Sequence, residues 1–143
     1  MTNRTFTIIK PDAVAAGHTG EIIDRIISDG FNILALKMIR MSRSQAENFY
    51  KAHRDRHFYS NLIIFMMSGP IVVALLEKEN AVSELRKLVG STDPAEAEPG
   101  TIRRNFGHNV RENAIHATDC DEHVSVEWSQ FFTEDEICVN EQP

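Results

Sequence analysis

One stretch constrains the fold more than any other: Ile71-Val72-Val73-Ala74-Leu75-Leu76, six consecutive apolar residues. A strand that is apolar at every position is buried on both faces, so this run predicts a central strand of a sheet. On its N-terminal side, Ser68-Gly69-Pro70 closes an apolar helix predicted over Ser60–Met67. On its C-terminal side, Asn80 is expected to cap a helix over Ala81–Val89.

Strands and helices alternate outward from this centre. Strands are predicted over Thr5–Ile9, Phe31–Met41 and Ala114–His116, and helices over Gly20–Asp29, from Ser42 onward, over Thr101–Asn105 (a short turn or helix) and over Glu122–Phe132. The order β-α-β-α-α-β-α-β-α contains two βαβ-like halves. It predicts a single domain over residues 1–143: an α/β (α+β) sandwich of ferredoxin-like type, with helices packed on a four-stranded antiparallel sheet.

Three local signals mark where elements begin and end. Gly30 predicts the end of the first long helix. Gln45 follows Ser42 by three residues and predicts a capping box at a helix start. Pro11 biases Lys10 toward extended geometry and ends the first strand, so Lys10 is expected to face a loop.

The composition is that of an ordinary globular domain. The chain has 143 residues, a net charge of −6, 42% hydrophobic residues and 25% charged residues, which excludes a collagen, a coiled coil and a wholly disordered chain. Cys120 and Cys138 are too few for a disulfide framework and lack metal-site spacing. Because no apolar run reaches the roughly 18 residues of a membrane span and no signal pattern opens the chain, we expect a cytoplasmic protein without membrane contacts.

Charge is distributed unevenly along the chain. Residues 119–143 hold eight acidic residues and no Lys or Arg, so residues 1–118 carry 15 basic against 13 acidic residues. An acidic C-terminal face makes broad binding to nucleic acid unexpected. A local anion site within the first 118 residues remains open.

Common nucleotide-binding motifs are absent from the sequence. It has no G-x-x-x-x-G-K-[ST] loop, no G-x-G-x-x-G fingerprint and no protein-kinase signature. Any bound nucleotide must therefore be held by side chains. Lys10, Arg86, Arg103 and Arg104 are either separate surface charges or, if the fold brings them together, a clamp for phosphate.

His116 is the residue with the clearest chemical potential. It ends a short apolar strand and has small or polar neighbours, which leaves its ring accessible. It is either a half-buried structural histidine or a nucleophile with one free ring nitrogen and the other held by an acceptor. Glu127, on the following helix, could supply that acceptor.

Five motifs in the chain match, in order, the motifs of one known family. The strongest is Asn113-Ala114-Ile115-His116-Ala117-Thr118-Asp119, similar to an N-x-x-H-G-S-D signature. The others are Thr7-Ile8-Ile9-Lys10-Pro11-Asp12, Phe58-Tyr59-Ser60-Asn61-Leu62, Met67-Ser68-Gly69-Pro70, and the loop pair Gly90-Ser91-Thr92-Asp93-Pro94-Ala95 and Pro99-Gly100-Thr101-Ile102-Arg103. Each is weak alone, but their shared order and spacing are highly specific. The chain resembles the nucleoside diphosphate kinase family over residues 3–137.

The resemblance implies an enzyme that moves the γ-phosphoryl group of a nucleoside triphosphate to a nucleoside diphosphate. The transfer is implied to be ping-pong, through a phosphohistidine, to depend on Mg²⁺ held chiefly by the nucleotide phosphates, and to be broad in base and sugar specificity. It also implies homo-oligomers. The short tail over residues 137–143 slightly favours a tetramer over a hexamer.

The same resemblance assigns roles to twelve residues. His116 is the phosphoryl acceptor, supported by Glu127 and Thr118. The phosphates and ribose are held by Lys10, Tyr50, Arg86, Thr92, Arg103 and Asn113, of which Lys10, Tyr50 and Asn113 also serve catalysis. Phe58, Leu62 and Val110 form the base slot.

Three positions depart from the family pattern. Ala117 replaces the usual Gly, which costs about 1–2 kcal/mol if that position needs a positive φ and nothing otherwise. Thr118 replaces Ser and keeps the hydroxyl, and His57 replaces a Pro before the base-stacking aromatic residue. Cys120, four residues after His116, is either an inert small residue or a redox-sensitive thiol.

Two other readings of the chain stay open. One is a catalytically weak member of the same fold that binds nucleotides or proteins. The other is a ferredoxin-like regulatory module without chemistry, in which Lys10, Arg86, Arg103 and His116 have no reason to meet.

Overall fold

The computed structural model describes residues 3–139 and contains one antiparallel sheet of four strands. The strands are β1 (Arg4–Ile9), β2 (Asn32–Ile39), β3 (Ile71–Glu77) and β4 (Ile115–Ala117). Their order in the sheet is β2-β3-β1-β4, with β1 antiparallel to both β3 and β4. The predicted ferredoxin-like sandwich with a four-stranded antiparallel sheet is confirmed.

The predicted central strand lies inside the sheet, between β2 and β1. Ile71, Val73 and Leu75 enter a core on one face of the sheet, and residues 72, 74 and 76 enter a second core on the other face. Both faces are covered by helices, which explains why the run carries no polar residue.

Within residues 3–139, seven α-helices cover the two faces of the sheet. They are α1 (Pro11–Ala15), α2 (Thr19–Ser28), α3 (Arg43–Phe49), α4 (Tyr59–Met66), α5 (Ala81–Val89), α6 (Ile102–Phe106) and α7 (Val124–Trp128), and single 3₁₀ turns cover Lys51–His53, Asp121–His123 and Glu134–Glu136. The capping box of Ser42 and Gln45 is present at the start of α3. Among the described residues no helix combines the length and the apolarity that crossing a membrane requires.

The structure differs from the sequence prediction at three elements. Helix α1 was not predicted; it begins at Pro11, whose fixed φ suits the first helical position. The predicted helix over Glu122–Phe132 is a 3₁₀ turn followed by the short α7, after which Phe131 and Phe132 turn into the core. Asn80 precedes α5, but it is left-handed (φ 55°) and its side chain caps nothing, since a capping side chain needs extended backbone.

Gly90 ends α5 with φ +91°, and its carbonyl accepts a hydrogen bond from Arg103. A Cβ at this position would lie 2.6 Å from Thr101 Oγ1. We expect Gly90→Ala to lower the free energy of unfolding by about 2–4 kcal/mol, because left-handed strain of about 1–2 kcal/mol adds to steric overlap of about 1–3 kcal/mol.

The matched control for this substitution is Gly20→Ala in α2, where an added Cβ meets nothing within 4 Å. A helical alanine there is expected to leave stability unchanged or to raise it by up to about 1 kcal/mol. Urea unfolding at one protein concentration measures both variants. Equal stability of the two would show that the turn at Gly90 accommodates a side chain.

Candidate active site

A cleft of about 1050 Å³ opens beside the edge strand β4. Its walls come from the end of α3 and the turn after it, the start of α4, the loop over residues 109–113, and α7. Of the twelve residues assigned from the sequence, eleven line this cleft: Lys10, Tyr50, Phe58, Leu62, Arg86, Thr92, Arg103, Val110, Asn113, His116 and Glu127. The twelfth, Thr118, is fully buried behind it.

The imidazole of His116 is held from one side. Its Nε2 lies 2.9 Å from Glu127 Oε1, and the ring of Phe49 meets it edge-on with centroids 5.1 Å apart. A carboxylate accepts a hydrogen bond, so Nε2 carries the proton and Nδ1 carries the free electron pair. Within residues 3–139, Nδ1 has no hydrogen-bond partner, and it belongs to a residue that lines the cleft.

Glu127 is fixed in turn by Thr118. The Thr118 hydroxyl lies 2.8 Å from the same Oε1 atom and 3.1 Å from the carbonyl of Phe6 on β1. The backbone N–H of Phe6 donates to that hydroxyl. Threonine therefore does what serine would do at this position, and its extra methyl group is accommodated in a fully buried site.

Lys10 directly follows β1, and the X-Pro signal predicted this position at the end of the strand. Its side chain is buried. Its Nζ donates to Asn113 Oδ1 at 2.8 Å, and the Asn113 amide donates to the carbonyls of Thr92 and Val110. Burial, and then the nearby guanidinium of Arg103, lowers the pKa of Lys10 to about 8. An anion in the cleft would favour its charged form.

Two arginines donate hydrogen bonds to backbone carbonyls on either side of His116. Arg103 Nη2 donates to the carbonyl of Ile115 at 2.9 Å, and Arg86 Nη1 donates to that of Ala117 at 3.2 Å. Burial, and then the charge of Arg86, lowers the pKa of Arg103 to about 10. The hydrogen-bond partners of Lys10, Arg86 and Arg103 are neutral oxygens, so the cleft collects positive charge that a phosphate ligand would balance.

The Tyr50 hydroxyl is another unsatisfied group in the cleft. It is buried and has no hydrogen-bond partner among the described residues. Burial, and then the charge of Glu127, raises the pKa of Tyr50 above its usual value. Tyr50 therefore remains a neutral donor that a ligand oxygen can satisfy.

Two exposed apolar side chains stand at the mouth of the cleft. Phe58, before α4, is 38% exposed, and Val110, in the facing loop, is 61% exposed. Leu62 is buried and lines the same cleft. His57 stands at the position where the family has Pro. Its ring packs edge-on against that of Phe58, with the ring centroids 5.6 Å apart.

Backbone strain lies at Ala114 rather than at Ala117. Ala117 of β4 pairs with Thr7 of β1 and has no positive φ. Alanine in place of the family's glycine therefore causes no backbone strain at this position. Ala114 has φ +76°, a left-handed conformation that costs about 1–2 kcal/mol. Asp12 Oδ2 accepts from its N–H at 3.1 Å, and the N–H of Lys10 donates to its carbonyl at 2.9 Å, which holds the turn into β4.

The sequence did not assign Phe49, Asp12 or Arg111 to the site. Phe49 is partly buried against the core, and its ring also packs on His116. Asp12 belongs to the motif over residues 7–12, and it holds Ala114 through a hydrogen bond between residues 102 positions apart in the sequence. The carbonyl of Arg111 accepts from Lys10 Nζ at 3.4 Å, which no side-chain pattern signals.

Cys120 is a partly buried free thiol. Burial, followed by the neighbouring side chains of Glu122 and Asp119, raises the pKa of the Cys120 thiol. A raised pKa favours the protonated thiol, which is the less reactive form.

Fold and cleft together place the chain in a class: ferredoxin-like α/β proteins with a cationic cleft of nucleotide size beside an edge-strand histidine. The family model for nucleoside diphosphate kinase matches residues 3–137. The nucleoside diphosphate kinase of Phenylobacterium zucineum (strain HLK1) is 50% identical over 137 residues, covering 96% of this chain and 99% of that protein.

Solved structures agree with this assignment. The nucleoside diphosphate kinase of Aquifex aeolicus superposes with a TM-score of 0.93 at 44% identity, covering 96% of this chain and 99% of that one. A halophilic nucleoside diphosphate kinase from Halobacterium salinarum, solved in complex with CDP, superposes with a TM-score of 0.95 at 34% identity, covering 99% and 95%.

The chain therefore belongs to the nucleoside diphosphate kinase family. It is a phosphotransferase that moves phosphoryl groups between nucleotides, as the resemblance predicted, and members of this family generally need a divalent metal. The reading as a catalytically weak binding module is not favoured.

Proposed function

We propose that this chain acts as a single domain that transfers the γ-phosphoryl group of a nucleoside triphosphate to His116 Nδ1, and from there to a nucleoside diphosphate. The observation that carries the proposal is the held imidazole. Its Nε2 is fixed by Glu127 at 2.9 Å, while Nδ1 has no partner among residues 3–139 and belongs to a cleft that three cations with neutral partners also line. One site then serves donor and acceptor in turn.

The bond changes in the first half-reaction follow from this tautomer. The Nδ1 electron pair forms a bond to the γ-phosphorus, and the bond from that phosphorus to the bridging oxygen breaks. The diphosphate leaves with the electron pair. The proton stays on Nε2, where the Glu127 carboxylate stabilises the positive charge that develops on the ring. The second half-reaction reverses these changes with a different diphosphate.

Phosphate charge is met by groups that are fixed before substrate arrives. Phosphoryl transfer has a loose transition state with charge on its outer oxygens, so positioned cations do most of the work. Lys10 and Arg103 are held by backbone and amide oxygens, and Arg86 completes the set. The Tyr50 hydroxyl and the polar groups of Thr92 and Asn113 also line the cleft and are proposed to hold phosphate and ribose oxygens.

We propose Mg²⁺ as the divalent metal, bound to the phosphates of the nucleotide. The donor set of the cleft fits this arrangement. Of the two carboxylates that line it, Glu127 is hydrogen-bonded to His116 and Thr118, and Asp119 to His123, while the other lining residues are cations or neutral groups. Mg²⁺ usually keeps its waters and binds substrate phosphates. When bound, the ion neutralises charge on the phosphate oxygens, and the chain's own residues hold the phosphates.

Broad base specificity is expected from the apolar mouth. Phe58 and Val110, with Leu62 behind them, offer packing surfaces rather than hydrogen bonds. Every nucleobase has an apolar face, whereas a site built to hydrogen-bond one base would reject the others strongly.

The chain is also proposed to form homo-oligomers, with a tetramer slightly favoured over a hexamer. In support, the outer edge of β2 has no partner strand within residues 3–139, and Leu36 and Met38 on that strand are exposed. Sedimentation equilibrium would distinguish a tetramer, a hexamer and a monomer.

The experiment that tests the proposed transfer is phosphoenzyme trapping. The protein is incubated with γ-labelled ATP and Mg²⁺, quenched in alkali, and separately chased with GDP. We expect acid-labile label on the chain that the chase converts to labelled GTP. Intact nucleotide binding without label would contradict the mechanism.

Nucleotide affinity is expected to fall above about pH 8. In the free protein the pKa of Lys10 is about 8, and a bound phosphate favours the charged amine, which raises that pKa in the complex. Below pH 8 Lys10 is already charged and binding takes up no proton. Above pH 8 binding must take up one, so the Kd for ADP rises by up to about tenfold per pH unit until the pKa of the complex is reached.

Calorimetric titration of ADP between pH 6.5 and 9.5 measures this dependence, and buffers of different ionisation enthalpy report the proton uptake. The control is Lys10→Met, in which the rise near pH 8 should disappear. An unchanged rise in that variant would assign the titration to another group.

A further inference from the structure

Three side chains with different metal-binding atoms cluster just after β4. Asp119, Cys120 and His123 offer a carboxylate oxygen, a sulfur and an imidazole nitrogen, and these atoms all lie within 4.8 Å of one another. Cys120 and His123 are separated by two residues and span the 3₁₀ turn Asp121–His123. The two cysteines lack metal-site spacing relative to each other, but Cys120 finds its partners next to it in the chain.

The cluster is close to the size of a metal site. In a tetrahedral site with bonds of about 2.0–2.3 Å, neighbouring ligand atoms lie roughly 3.5 Å apart. The widest separation here is at most 4.8 Å and needs to shorten by about 1 Å, whereas the 2.7 Å between His123 Nδ1 and Asp119 Oδ1 needs to lengthen by a similar amount. Asp119 and His123 can move by that amount, because their side chains are 63% and 55% exposed.

One contact within the cluster already resembles metal coordination. His123 Nδ1 lies 2.7 Å from Asp119 Oδ1, so these two groups share a proton at a position that a cation could take. The carboxylates of Asp119 and Glu122 interact with the Cys120 thiol and add negative charge around the same point.

We propose that Asp119, Cys120 and His123 bind a thiophilic divalent cation of the Zn²⁺ type. Sulfur and imidazole ligands select Zn²⁺ and similar ions, whereas Mg²⁺ takes oxygen ligands. Three protein ligands leave a fourth position for water. The thiol proton passes to solvent as the sulfur–metal bond forms, and the proton between His123 Nδ1 and Asp119 Oδ1 moves to solvent or to Nε2 as Nδ1 binds the metal.

The proposed metal site adjoins the cleft in which the transfer reaction takes place. Asp119 and His123 both line the cleft that contains His116. A cation here lies at the rim of the nucleotide cleft and is distinct from the metal that arrives with the phosphates. The proposal does not depend on the transfer mechanism, because binding of the cation is measured without nucleotide.

The probe is Co²⁺, added to reduced protein in the absence of nucleotide. A thiolate bound to Co²⁺ gives a charge-transfer band in the near ultraviolet, and tetrahedral geometry gives visible bands. We expect both in the natural sequence and their loss in Cys120→Ser. Competition with Zn²⁺ gives the affinity, which we expect to weaken by at least about tenfold in His123→Ala and in Asp119→Asn.

The matched control is Cys138→Ser, which removes the other free and more exposed thiol. It should keep both sets of bands and the Zn²⁺ affinity. Bands that survive in Cys120→Ser or vanish in Cys138→Ser would overturn the proposal. So would Zn²⁺ affinity that is unchanged in both His123→Ala and Asp119→Asn, since the cation would then bind a lone thiol.

Discussion

Replacing His116 by Asn is expected to lower the rate of phosphoryl transfer by about 10⁴-fold or more, because the only proposed nucleophile is lost. The asparagine amide is no substitute for a ring nitrogen with a free electron pair. The cations and the apolar mouth are untouched, so nucleotide binding should persist. A coupled assay of GTP formation from ATP and GDP measures the loss, and calorimetry with ADP should give a Kd within about threefold of the natural sequence.

The matched control is His18→Asn, which changes a histidine that packs on Phe106 and does not line the cleft. Its rate should stay within about twofold of the natural sequence. Phosphohistidine transfer through His116 would be contradicted if the His116 variant kept more than a hundredth of the original rate.

Replacing Lys10 by Met is expected to lower kcat/KM by about 10²–10³-fold, the loss typical of removing one fixed donor to a charged transition state. Methionine matches the length and the apolar stem of lysine, so the buried space stays filled. What is removed is the charged donor beside Asn113 Oδ1. Steady-state kinetics with ATP and GDP measures the effect, and circular dichroism checks that the variant folds.

Lys87→Met provides the comparison on the surface. Lys87 is 76% exposed, pairs with Glu84 on α5 and lies outside the cleft. The pair is exposed and screened by solvent, and Lys87 does not line the cleft, so kcat/KM should change by less than about twofold. Equal effects of the two variants would mean that Lys10 contributes only general positive charge.

The sheet and several helix boundaries could be predicted from the sequence because their signals are local or strongly patterned. The apolar run over residues 71–76 predicted the inner strand, and the Ser42–Gln45 capping box predicted the start of α3. Helix α1 was missed because five residues are too few for a helical period to appear.

The spacing of residues along the sequence could not show which side chains meet in the cleft. Lys10 and Asn113 are 103 residues apart, yet they meet within 2.8 Å because β1 and β4 are neighbours in the sheet. The family resemblance named both residues. The residue patterns alone left Lys10 open between a surface charge and part of a phosphate clamp, and they did not single out Asn113. The strained turn at Ala114 was also invisible, because alanine gives no hint of a positive φ.

The apolar mouth formed by Phe58 and Val110 has a consequence at the level of the cell. If this mouth binds every base by packing, as proposed, the enzyme imposes no preference of its own among purines and pyrimidines. The direction of each exchange is then set by the relative abundance of the nucleotides around it. Such a catalyst draws all nucleotide pools toward one common ratio of triphosphate to diphosphate, so a surplus in one pool replenishes the others.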